Sequence, residues 1–147
     1  MVTEQMVDDE YNELRYRIRL VIHHPNMDPD RITEKLGLAP RHSATAGSVR
    51  KAPNGVILPG LHRTSSWSHS YRVEKNRHFF SEVMKMIDRL EPQKALLNEI
   101  AGSGGSICLI ADLPGDVNIG SEFPWRDMAR LADLHIDLGV EVYPEYN

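Results

Sequence analysis

One cysteine, Cys108, stands among the 147 residues. An intrachain disulfide is therefore impossible, and a metal cluster held by several thiolates is excluded. Long apolar runs are missing too: none approaches the ~20 residues needed to cross a bilayer. The opening MVTEQMVDDEYNE is acidic and polar, whereas a secretory signal needs a basic start and an apolar stretch. The expected address is the cytoplasm. The strong catalytic signatures are absent as well. There is no His-Glu-x-x-His for zinc, no Gly-x-Ser-x-Gly elbow and no Gly-Lys-Ser/Thr nucleotide loop.

What remains is an ordinary globular composition, 41% hydrophobic and 26% charged, too apolar for a disordered chain. The length suits one self-sufficient core. Residues 1–13 show no periodicity and are expected to be a flexible tail, leaving 14–147 as a single domain. The net charge of −4 is unevenly spread. Arg41, Arg50, Lys51, Arg63, Arg72, Lys75 and Arg77 face only Glu74 within 41–78, a net +6 that leaves −10 for the rest. Such a segment either attracts an anionic partner or cancels the acidic termini within the fold.

Leu14, Tyr16, Ile18, Leu20 and Ile22 alternate with Arg15, Arg17, Arg19 and Val21, the period-two pattern of a half-buried strand. Its arginines are expected on a solvated face, opposite carboxylates such as Glu141 on another strand. His23 to Met27 reads as a loop. Asp28 then suits an N-cap and Pro29 the first helical position, with Ile32 and Leu36 one turn apart and Gly37 as the stop, so a short helix is predicted over 29–36. Residues 39–64 carry Pro40, Gly47, Pro53, Gly55, Pro59 and Gly60, a long loop with a short strand near Val56 to Leu58. Ser65 to Val73 reads as a second full strand. Phe79, Phe80, Val83, Met84, Ile87 and Leu90 have helical spacing behind an Asn76 cap, and Pro92 opens a further helix with Leu96, Leu97 and Ile100. After Gly102 to Ser106 comes an apolar strand, Ile107 to Ala111. A helix capped near Ser121 places Trp125, Met128, Ala129, Leu131 and Ala132 on its buried side, and Leu138, Val140 and Val142 alternate in a last strand closed by Pro144. The order β-α-(β)-β-α-α-β-α-β implies an α+β fold, a mixed or antiparallel sheet with helices packed on one face.

Several of these features occur in a set succession: the strand Tyr16 to Ile22; Ile32, Leu36, Gly37, Leu38 and Pro40 at the helix end; Gly47; Trp67 in a serine-rich strand; and Ser121 through Leu131 and Leu134 to Val142 and Tyr143. In this the chain resembles a bacterial family known only as domain of unknown function 4279. The segment from Arg41 to Arg63 is longer than in that family. The resemblance implies an α+β fold and supplies no activity, cofactor or catalytic residue.

Candidate chemistry is sparse. Only His23 and His24 adjoin among the histidines, and neighbours on an extended chain point to opposite sides, so Asp28, His42 and His62 would have to converge from afar to hold a metal. No metal site or cofactor is expected. Ser68 and His69 face opposite ways on a strand, against a nucleophile–base pair. The glycines at 102–106 follow a helix and precede a strand, the reverse of a phosphate cradle. Cys108 lies among Ile107, Leu109 and Ile110, in keeping with burial as a small apolar residue. Asp112, Asp116, Asp127, Asp133 and Asp137 form no paired-carboxylate motif and read as solvated surface.

Two function classes follow. The first is a non-catalytic module that binds another protein through its sheet face or long loop, with an immunity-like role as one form. The second is an anion- or nucleotide-binding domain using Arg41, His42, Arg63, Trp67 and His69. Neither class implies a membrane or a nucleic acid as partner, and no catalytic residue can be named.

Overall fold

The computed structural model describes residues 14–144; the tail expected over 1–13 lies outside them. The strands are β1 (Arg15–His24), β2 (His42–Ala44), β3 (Val49–Lys51), β4 (Ile57–Leu61), β5 (Ser65–Glu74), β6 (Ser106–Pro114) and β7 (Ile136–Tyr143). The helices are α1 (Pro29–Leu36), α2 (Phe79–Leu90), α3 (Lys94–Gly102) and α4 (Trp125–Asp133), with a 3₁₀ turn at Glu91–Gln93 joining α2 to α3.

Five strands form one sheet in the order β2-β5-β1-β6-β7, and β3 and β4 form a separate hairpin. The β2–β5, β5–β1 and β1–β6 pairs are antiparallel. β6 and β7 run parallel because α4 carries the chain back between them, the crossover that parallel neighbours require. The sheet is therefore mixed.

β1 sits at the centre, and its alternation is strict. Tyr16, Ile18, Leu20 and Ile22 are all but fully buried, and Arg15, Arg17 and Arg19 take the other face. In register with them on the buried face are Trp67 and Val73 of β5 and Ile107, Leu109 and Ala111 of β6. Among the described residues, helices cover this face alone. α1 brings Ile32 and Leu36, α2 brings Val83, Met86, Ile87 and Leu90, and α3 brings Leu96, Leu97 and Ile100. Phe79 meets Tyr16 edge-on, ring centroids 6.5 Å apart.

The end signals of α1 act as the sequence implies. Asp28 Oδ1 accepts from the Asp30 N–H at 3.0 Å. Gly37 adopts φ +64°, where a β-carbon would be strained, and its N–H reaches Thr33 O at 2.9 Å.

Several expectations need correction. The stretch 39–64 is not one loop: β2 joins the sheet and β3–β4 fold back on each other. The supposed loop at His23 is the end of β1, and His24 is buried. Two backbone N–H groups, of Asn26 and Met27, donate to its Nδ1, so Nε2 carries the ring proton toward Ser103 Oγ at 2.7 Å. Asn76 lies two residues before the α2 N-cap and acts by binding Ser81 and Glu82 side chains. Ser121 caps no part of α4; its hydroxyl accepts from the Phe80 N–H at the start of α2. The largest difference concerns α4 and β7. Only Leu131 of the α4 apolar side is buried, while Trp125, Met128, Leu138, Val140 and Val142 are exposed.

Candidate interaction surfaces

The five residues singled out for an anionic ligand do not share a face. Arg41 and His42 lie exposed at the β2 margin, where Arg41 N–H bonds Ser68 O at 2.7 Å and the His42 ring stands 3.4 Å from Ser66 Oγ. Arg63 is exposed in the turn before β5. Trp67, on the helix side, is fully buried, and its Nε1 donates to Thr33 Oγ1 at 2.9 Å. His69, on the same side as Trp67, stands at the rim of the core with Nδ1 2.7 Å from Ala39 O.

The basic segment is also divided. Arg63 precedes β5 and Arg72 nearly ends it, so at about 3.3 Å per residue the two lie roughly 30 Å apart. Arg63 thus lies at one end of β5 and Arg72, Lys75 and Arg77 toward the other, with Arg41 beside Ser68 between them. The strand expected over Ser65 to Val73 implies this split, because its extension separates Arg63 from Arg72.

His69 opens onto a cleft of about 570 Å³ between the end of α1 and α2, lined also by Tyr71, Glu82, Lys85 and Arg89. Glu82 is buried there and accepts from Lys85 Nζ at 3.0 Å and Asn76 Nδ2 at 2.9 Å. Burial, with the Glu82 charge second, pushes the Tyr71 hydroxyl up to about 12. The cleft's acid is thus neutralised by its own neighbours, the arrangement of a structural ion pair.

The helix-free face of the sheet carries a network that reading by sequence missed. Asp112, expected at the surface, is buried. Arg19 grips it through Nε at 2.6 Å and Nη2 at 3.0 Å, and Nη2 also reaches Glu141 at 2.9 Å. Tyr143 Oη donates to the same Glu141 oxygen at 2.6 Å. The Asp112 hydrogen bonds first, then its charge, raise the Arg19 pKa against the cost of burial. The expectation that Glu141 would meet a β1 arginine holds. The alternation of charge in β1 and β6 was the available clue to Asp112, since Arg17 stands directly opposite it in register. Because Arg19 takes that carboxylate, Arg17 is left facing Arg72 across β1–β5. Cys108 also lies on this face, half-buried rather than in the core, with its thiol pushed up by burial first and by Asp137 second.

The β3–β4 hairpin is the other unusual surface. Val49 pairs with Leu61 and Lys51 with Ile57. Val49, Val56, Ile57 and Leu61 are 48–68% exposed. Two strands alone are marginal in water unless something packs on them. Within 41–63 the charges are Arg41, Arg50, Lys51 and Arg63, with no carboxylate among them.

Among the described residues, no group of three or more His, Cys, Asp or Glu side chains is placed to hold a metal ion, and no helix is long and apolar enough to cross a membrane. The model of the family described as a domain of unknown function, DUF4279, matches residues 13–145. The chain belongs to that family. Neither a curated protein nor a solved structure matches it.

Proposed function

We propose that this DUF4279 domain is a non-catalytic protein-interaction module, and that its β3–β4 hairpin is the arm that engages the partner. One observation carries the reading: four large apolar side chains stand on a two-stranded arm that has no core of its own. Exposed apolar groups of this kind cost free energy in water and mark contact sites. The arm's charge is purely cationic, so the partner offers an apolar patch rimmed by carboxylates. The five-stranded sheet is the rigid base, and the arm is its recognition element.

A photo-reactive amino acid placed at Val56 in the living cell tests this. Adducts with one defined polypeptide are expected from position 56, none from a control at exposed Asn98 on α3, and loss of the adduct in Ile57→Asp. Equal labelling at both positions, or none at either, would refute the arm.

A second reading, an anion-binding domain, is supported by the cross-strand pair Arg17 and Arg72. Like charges directly opposite each other are unfavourable unless an anion sits between them. That reading requires phosphate-bearing ligands to bind with a steep loss of affinity as salt rises.

A further inference from the structure

We infer that β7 is the seam of a symmetric dimer, in which a second copy of this chain adds its own β7 antiparallel and continues the sheet. The inference is independent of the arm, which lies toward the far margin.

β7 forms the edge of the sheet, and among the described residues nothing pairs with its outer side. The Gly115 N–H donates to Tyr143 O at 2.6 Å, which fixes the parity of the strand. Main-chain groups of Asp137, Gly139, Glu141 and Tyr143 point inward to β6, and those of Leu138, Val140 and Val142 point outward. The same three residues carry apolar side chains on the helix side, 36–61% exposed. Beside them α4 exposes Trp125 and Met128, and a groove of about 690 Å³ runs between Phe80, Phe123, Met128, Leu131 and Leu138. Both α4 and β7 are thus patterned for a buried face that the described residues of one chain leave in water. An open, apolar edge strand without lysine or an internal proline is what single-chain proteins avoid.

Charge selects a second copy and its register. Two antiparallel registers keep nearly all of β7 paired. Centring on Gly139 sets Asp137 against Glu141′ twice, an unfavourable meeting of like charges. Centring on Val140 instead sets Val140 against Val140′ and Leu138 against Val142′ on the helix side. On the other side Glu141 then faces Gly139′, where no side chain stands, and Asp137 faces the Tyr143′ ring. The strand is therefore complementary to itself in one register, with outward main-chain groups of Leu138, Val140 and Val142 matched.

Sedimentation velocity of the full chain over a concentration series, with and without Val140→Lys, is the test. The wild type is expected to dimerise, and Val140→Lys to weaken the dimer on the order of tenfold or more while leaving the circular dichroism, and the Tm of dilute monomer, unchanged. Register is read by disulfide trapping in a Cys108→Ser background. Asp137→Cys with Tyr143→Cys should give a covalent dimer, because these are non-hydrogen-bonded partners with closely spaced β-carbons. A monomer at every concentration, a dimer indifferent to Val140→Lys, or trapping only by Asp137→Cys with Glu141→Cys would overturn the inference.

Discussion

The two margins of the sheet are built by different means. On one side β5 is pinned from within: Trp67 is wholly buried and donates to Thr33 of α1, and the edge beyond it, β2, spans only His42–Ala44. β2 covers only Ser66 to Ser68, so the rest of this margin is the outer side of β5 itself. On the other side β7 spans eight residues. It is pinned on the helix-free face by the Arg19–Asp112–Glu141 network and left open on its apolar face. One margin is thus held by packing. The other is held by charge and leaves hydrophobic surface uncovered. A strand can be well anchored in its own sheet and still be unfinished as a surface.

Substitutions that strike one margin at a time would break or sharpen this contrast. The largest effect belongs to the packed side. Trp67→Ala empties a fully buried site, and a loss of about 3–5 kcal/mol is expected in urea unfolding. A loss below ~1 kcal/mol would mean that this margin is not held by its core. Next comes the charged side. Asp112→Ala strips Arg19 of its bidentate partner and should cost about 1.5–3 kcal/mol, the range for hydrogen bonds to charged groups. The paired change Arg19→Met with Asp112→Leu should restore much of that loss, since apolar replacements of an ion pair avoid stranding a charge.

A smaller effect is expected at high pH. Tyr71 of β5 has its folded pKa raised to about 12 by burial first and by Glu82 second, against an ordinary value near 10. The neutral phenol is the form favoured by folding. The stability it contributes is fully present below pH ~10 and is lost as pH rises through about 12. Tyr71→Phe should therefore flatten the alkaline fall of Tm across that window, and an unchanged profile would remove the tyrosine from the account. The smallest effect is expected at β7 itself. Val142→Ser should shift monomer stability by no more than about 0.5 kcal/mol in denaturant unfolding, as for other exposed sites. A larger loss in dilute monomer would show that this face is already covered.

Much of the frame was legible in the chain. The alternation in β1, the Asp28–Pro29 start and Gly37 stop of α1, and the order of elements are local, short-range signals, and each sits where it was expected. The 39–64 stretch was not, because Pro53, Pro59 and three glycines look like loop whether or not strands run between them; the hairpin is held by cross-strand bonds such as His62 N–H to Ser48 O, which no window of local composition reveals. Asp112 was misjudged for a related reason. An aspartate reads as solvated until its neighbour in space is known, and Arg19 lies ninety-three positions away. Of the residues named for an anion, Arg41 and His42 dock beside Trp67 and His69, but His42 pairs with Ser68 and so faces the other side of the sheet from them.

By itself the sequence determined periodicity: which residues could share a face, where helices start and stop, and that α4 and β7 each own an apolar stripe. Periodicity is a property of neighbours along the chain and needs no third dimension. Only the tertiary structure decided what meets each stripe. Ile18 and Leu20 lie at the centre under helices, while Val140 and Val142 bear the same pattern at the last strand, where no further layer among the described residues covers them. Burial depends on the number of layers and on which strand comes last, and no local pattern encodes either.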